Sequence, residues 1–287
     1  MRIRASVLGL ALVGVALSGC LDVAPSGPPF PGYAGALSQS RGRDGKTVLV
    51  TGDSLALSAG SALQGVLTSS GRCASVVNAA VAGTSLGDWL PRPDALYPID
   101  QAIARYHPDV VVMEHVGNQG LVCPYCFGPI WTDPNYVADA GALATQISNA
   151  GHTAGVPLVW AVPPIAAFSC DFGALSAARF VEWKDWIAAN AQPLTGNPPA
   201  DWRRPFGGES YSSAFDFGPG VGVQTVRDFD CTHFKPYGSA VAASATAIAI
   251  QGFWHQPTSP SAPTPSTTAT VTTAPAPPTS TLMTPGA

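Results

Sequence analysis

A chain of 287 residues is long enough for one sizeable domain with flanking segments. Only 11% of its residues are charged and the formal net charge is -4. No basic block or stripe is present, which excludes a nucleic-acid binder.

The chain opens with a targeting pattern. Arg2 and Arg4 form a positive start, and an apolar run from Val7 to Leu17 follows. The run is short for a membrane span and fits the hydrophobic region of a secretory signal. It ends in Leu17-Ser18-Gly19-Cys20, which resembles the bacterial lipobox. There the peptide is cut before the Cys, and the Cys carries lipid. Residues 1–19 are therefore expected to be removed. Lipid on Cys20 is expected to hold the protein at a membrane surface by acyl chains. An ordinary signal peptide with a chance cysteine is the alternative. Residues 20–44, rich in Pro, Gly and Ser, read as a flexible tether.

Residues 45–255 read as one domain. Thr47-Val48-Leu49-Val50 is a buried strand ending at Gly52, and Ser54 to Thr68 has helical apolar spacing. Ser75 to Asn78 is a second strand. Ile99 to Tyr106 is helical, and Asp109 to Met113 is a third strand. Tyr136 to Ala150 is an Ala-rich helix. Pro157 to Val162 is a fourth strand, stopped by Pro163 and Pro164. Ala174 to Asn190 and Gly238 to Gln251 are the remaining helices. Strands alternating with helices predict an α/β fold, a parallel sheet of about five strands covered by helices on both faces. Such sheets bind ligands at the carboxyl ends of their strands. Residues 256–287 are Pro, Thr, Ser and Ala with no charged residue, a composition that predicts disorder.

Export implies an oxidising compartment. Beyond Cys20, five cysteines are candidates for disulfides: Cys73, Cys123, Cys126, Cys170 and Cys231. Five allows at most two bridges within the chain, and the connectivity is open.

Ser54 lies where a strand ends and a helix begins. On position alone it fits an N-cap serine. As a nucleophile, a serine hydroxyl needs a base and donors for the oxyanion. The chain has five histidines, and only His233 has an acid in suitable local relation. Asp230 lies three residues before it, so one turn places both side chains on the same side. Asp230 would fix the imidazole tautomer while the other ring nitrogen faces Ser54. Asp228 is the fallback acid. The alternative for His233 is a surface residue near a helix start.

Gly52-Asp53-Ser54-Leu55 after the first strand, with Asp230-Cys231-Thr232-His233 before the last helix, resembles the SGNH, or GDSL, hydrolase superfamily. The likeness spans about residues 46–252. It implies a flavodoxin-like three-layer α/β/α sandwich and four sequence blocks. The second block supplies a glycine N–H to the oxyanion, and Gly83 matches it. The third supplies an asparagine side chain, and Asn118 in His115-Val116-Gly117-Asn118-Gln119 matches it. With the N–H of Ser54 these would form the oxyanion hole. The family's third block is Gly-x-Asn-Asp. Here Val116 and Gln119 replace the Gly and the Asp, which leaves the subfamily open.

Other motifs compete. Cys123-Pro124-Tyr125-Cys126 shares its letters with glutaredoxin-type redox sites, but it runs into Gly128-Pro129 rather than a helix, so a structural disulfide is the better reading. No spacing suits a metal site. Among seven tryptophans, Trp131 and Trp202 are candidate pocket walls. Glu114 and His115, at the end of the third strand, fall near the predicted site. His115 reads as a hydrogen-bonded buried residue.

The sequence thus predicts a serine esterase that forms an acyl-enzyme on Ser54 at the cell envelope. It needs no cofactor or metal. Its partners are an ester substrate (lipid, small ester or acylated glycan) and a membrane surface reached through the Cys20 lipid, with no nucleic acid. Acyl transfer to envelope saccharides, a non-catalytic envelope-binding lipoprotein and a thiol oxidoreductase stay open as alternatives.

Overall fold

Val48, Leu49 and Val50 send alternate side chains to opposite faces of a strand that is buried throughout, β1 (Thr47–Gly52). In the computed structural model, which describes residues 45–72, 74–116, 132–165, 173–203, 206, 208 and 210–254, this strand lies within a five-stranded sheet. The other strands are β2 (Ser75–Asn78), β3 (Val110–Glu114), β4 (Leu158–Val162) and β5 (Ala200–Asp201). The spatial order is β2-β1-β3-β4-β5 and every pairing is parallel. The predicted leader, tether and tail lie outside the described residues. So do Cys20, Cys73, Cys123, Cys126, Cys170, Asn118 and Trp131.

Two apolar cores follow from the alternation. Leu49, Val77, Val111, Met113, Trp160 and Val162 face one core, and Val48, Val50, Val110, Val112, Val159 and Ala161 face the other. The first is covered by α2 (Ile99–Tyr106), α3 (Tyr136–Ala154) and α4 (Gly173–Thr195). The second is covered by α1 (Ser54–Ser69) and α5 (Pro236–Ile250), which pack against each other. Leu55, Ala59, Leu63 and Leu67 recur every four residues and form the buried stripe of α1. Pro236 occupies the first turn of α5, where its missing N–H costs nothing.

The expected three-layer α/β/α sandwich is therefore present, with helix ends displaced by a few residues. The fifth strand is only two residues long, and an antiparallel hairpin, β6 (Ala214–Asp216) with β7 (Val223–Thr225), was not expected. Its residues are short, half-exposed and interrupted by glycines, so they carry no clear period.

The chain runs from β1 to β2 on one side and returns to β3 on the other. This creates a crevice at the carboxyl ends of β1 and β3. Gly52 makes that crevice tight. It has φ +128, and a Cβ built on it would stand 1.9 Å from the Glu114 carbonyl oxygen. Gly52→Ala is expected to destabilise the fold by about 3 kcal/mol or more, because both the φ and the contact reject a side chain. Denaturant titration of the variant checks this; a loss below about 1 kcal/mol would contradict the close approach of β1 and β3.

Candidate active site

Three segments meet at the crevice. The first is the β1–α1 turn. Asp53, fully buried, is the N-cap of α1; its Oδ1 accepts the Leu55 N–H at 2.9 Å. Ser54 is thus not the cap. It occupies the first helical position, and its hydroxyl is left available to another partner.

That partner is His233. The Ser54 Oγ and the His233 Nε2 are 2.8 Å apart, across 179 residues of sequence. On the other side of the ring, His233 Nδ1 is hydrogen-bonded to Asp230 Oδ2. Asp230 Oδ1 accepts the backbone N–H groups of Thr232 at 3.0 Å and His233 at 2.9 Å. The turn therefore holds the carboxylate, and the carboxylate holds the ring. Burial alone would raise Asp230, but hydrogen bonds from the His233 ring and from the His233 and Thr232 backbone, with the His233 charge, bring it below the usual carboxylate value. The fallback acid Asp228 is engaged elsewhere. It accepts the Phe229 N–H at 2.8 Å and faces Lys235 at 3.5 Å.

The loop carrying Asp230 and His233 is closed at its base. Asp228 N–H donates to His233 O at 2.9 Å, and Lys235 N–H donates to Val226 O at 3.1 Å. Arg227, 2% exposed, lies beneath. It donates to the carbonyls of Thr232, Pro164 and Ile165, so it ties the loop to the segment after β4. Its guanidinium sits 5.0 and 4.9 Å from the Phe206 and Phe234 ring centres. Burial lowers it to about 10, still cationic near neutrality.

The second segment follows β2. Val81 N–H donates to Gly52 O at 2.9 Å, and Thr84 Oγ1 donates to the same carbonyl at 3.1 Å. Gly83 sits between them, exposed, with φ +80 and open space where a Cβ would be. The third segment leaves β3, where Val116 N–H donates to Asp53 Oδ2 at 2.8 Å. Asn118 lies two residues beyond, outside the described residues.

Other expected residues fall differently. Trp202 is not a pocket wall. It is 1% exposed, its Nε1–H donates to Thr246 Oγ1 at 2.9 Å, and it packs against Phe234. His115 is buried as expected; its ring interacts with the Thr84 backbone, although neither ring nitrogen meets a described residue in good hydrogen-bond geometry. Burial drives it down to about 3, so it is neutral. Its carbonyl accepts the Trp183 indole N–H at 2.7 Å. Cys231, the one described cysteine, is not a free thiol. Two residues of structural weight went unassigned in the sequence, Asp53 and Arg227. An Asp directly before a helix is a capping signal, which bears on the first. An Arg in a loop carries none.

A serine hydroxyl on an imidazole that is itself held by a carboxylate can lose its proton to that imidazole as it attacks an electrophilic carbon. Among the described residues, no cluster of three or more His, Cys, Asp or Glu is arranged to hold a metal, and no helix is long and apolar enough to cross a membrane.

The fold is that of the SGNH hydrolases. A protein from Slackia heliotrinireducens assigned to those hydrolases superposes with a TM-score of 0.50 at 22% identity, over 71% of this chain and 98% of its own. An acetyl xylan esterase, AlAXEase, superposes with a TM-score of 0.51 at 15% identity, over 71% of this chain and 99% of its own. No family model and no curated protein matches the sequence.

Proposed function

We propose that the protein is a serine esterase of the SGNH type, with Ser54 as nucleophile, His233 as general base and Asp230 as the acid that orients it. The observation that carries this reading is the 2.8 Å contact of Ser54 Oγ with His233 Nε2, with Nδ1 held by Asp230, at the crevice of the sheet.

In the first half-reaction, His233 Nε2 takes the Ser54 proton as Oγ bonds to the ester carbonyl carbon. The carbonyl electrons move onto oxygen, where the N–H groups of Ser54 and Gly83 and the side chain of Asn118 stabilise them. The C–O bond to the alcohol then breaks, and the imidazolium returns its proton to the leaving alkoxide. In the second half, His233 deprotonates water, which attacks the acyl-enzyme and releases the acid and Ser54. Asp230 stays ionised and keeps Nδ1 protonated. None of these steps calls for a metal or cofactor.

Water as the acyl acceptor is supported by exposure, since the His233 side chain is 41% and the Asp230 side chain 34% accessible. The leader pattern adds that the enzyme works outside the cytoplasmic membrane, lipidated on Cys20, with Cys231 bridged to another of its cysteines. The test is a series of esters of increasing acyl length, together with acetylated saccharides, with and without free saccharide acceptor. Release of free acid at a rate unaffected by acceptor is expected. Acyl-saccharide as the main product would replace hydrolysis by transfer on the same residues, and no turnover anywhere in the series would leave a non-catalytic protein.

A further inference from the structure

Beneath Ser54 lies a layer of ionisable groups that the proton relay does not use: Asp53, Glu114, His115 and Arg227, none more than 2% exposed. Asp53 is the centre of it. One carboxylate oxygen holds the N–H of Leu55, directly after Ser54, and the other holds the N–H of Val116, two residues before Asn118. A single side chain thus fixes the start of α1 against the segment that leaves β3.

Glu114 stands beside it. Gly52 pairs with Glu114 in the sheet, and the Asp53 N–H donates to the Glu114 carbonyl at 3.3 Å. The Glu114 carboxyl oxygens make no well-formed hydrogen bond to a described donor; the groups that act on them are the Asp53 carboxyl, the Ala56 N–H and the Arg227 charge. Two adjacent carboxyls out of water do not both ionise. Burial raises Asp53 as well, but the N–H groups of Val116 and Leu55, the Glu114 side chain and the His233 charge all act to lower it. The carboxyl with two N–H donors therefore keeps the charge, and the other keeps the proton. Glu114 is accordingly pushed well above the usual carboxylate range, by burial first and by the Asp53 charge second. The remaining neighbours leave that assignment in place. His115 is neutral, with Nδ1 at 3.8 Å from Asp53 Oδ2; Arg227 acts on Glu114 and His233 on Asp53, each favouring the charged carboxylate.

We propose that Asp53 is a positioning residue for Ser54 and for Val116 just after β3, and that Glu114, as the neutral acid, holds Asp53 in place by donating its O–H. This rests on the esterase reading. Asp53→Asn keeps the shape but replaces one acceptor oxygen with a donor, so one of the two N–H groups loses its partner. Expected is a fall in kcat on the order of 10- to 100-fold with little change in KM. Glu114→Gln retains a donor and is expected to keep at least about a third of kcat, while Glu114→Leu falls with Asp53→Asn.

A stability readout is independent of turnover. A carboxyl whose folded value is raised contributes stability that is complete below its unfolded pKa and is lost as pH rises toward the folded value. Glu114→Gln removes that loss. Its folding equilibrium should gain on the wild type by up to about tenfold per pH unit above about pH 4.5, until the folded Glu114 ionises. The experiment is steady-state kinetics on wild type and the three variants, with urea titrations of wild type and Glu114→Gln across that range. A pH-independent difference between the two overturns the protonated Glu114. A folded Asp53→Asn with kcat within about twofold of wild type overturns the positioning role; should it not fold, the split between Glu114→Gln and Glu114→Leu decides. A wild type that hydrolyses no ester removes the esterase reading and the positioning role with it, yet leaves the urea series to judge the shared proton.

Discussion

Ser54→Ala is expected to lower kcat/KM for any ester the enzyme turns over by a factor on the order of 10⁴ or more. The substitution removes the atom that bonds to the acyl carbon, and no neighbour replaces it. Ser58, one turn along α1, already donates its hydroxyl to the Ser54 carbonyl at 2.9 Å. What survives is the rate that substrate binding and oxyanion donors give to attack by water. The fold should hardly notice. Ser54 is not the cap of α1, so the capping bond of Asp53 remains, and the lost contact with a part-exposed His233 is worth about 1 kcal/mol at most. Parallel measurement of ester turnover and urea midpoint separates the two effects. A variant that keeps a tenth of its activity while remaining folded would remove Ser54 from the mechanism.

Asp230→Asn should produce a loss of similar size by a different route, about 10³- to 10⁴-fold in kcat with KM little altered. Asp230 Oδ1 accepts two backbone N–H groups, and the amide oxygen of Asn can continue to do so, so the turn survives. The other Asp230 oxygen faces His233 Nδ1. With an amide nitrogen there, Nδ1 is forced to accept, the ring proton moves to Nε2, and the base toward Ser54 is lost. The pH dependence of stability gives a second signature. Because Asp230 is held below its ordinary value, its contribution is present above the unfolded pKa and fades as pH falls through the lower folded value. The stability gap between wild type and Asp230→Asn should therefore hold near neutrality and shrink only below about pH 4. A gap that is flat into strong acid would contradict the carboxylate–imidazole bond.

Much of the fold was legible because the sheet is buried on both faces. Continuous apolar runs such as Val110-Val111-Val112-Met113 have one stable use, and the helices between them carry their own periodicity. The two-residue strand Ala200–Asp201 and the hairpin of Ala214–Asp216 with Val223–Thr225 escaped, since short exposed segments with several glycines carry no period to read. Ser54, Asp230 and His233 were found as a group because their order relative to the strands was informative, although the 179-residue span between Ser54 and His233 is closed only by the fold. Residues whose role is to receive main-chain groups were less legible. Ser54 and Asp53 both fit a cap by composition, and only the fold decides between them, because a cap is a matter of which oxygen reaches Leu55 N–H. Arg227 was invisible for the same reason. Three carbonyls from two separate segments converge on it, and carbonyls are the same at every position. Trp202 misled because a Pro-rich neighbourhood suggests an exposed loop, whereas the indole has a buried hydroxyl partner in Thr246.

Covalent labelling tests most directly whether Ser54 is a nucleophile activated by His233. Reaction of the wild-type protein with a fluorophosphonate, followed by peptide mapping, addresses it without knowledge of the natural substrate. A single phosphonyl adduct on Ser54 is expected, one that is lost in Ser54→Ala and slowed strongly in His233→Ala. Folded wild-type protein that takes no label, or takes it on a residue other than Ser54, would rule out Ser54 as the nucleophile.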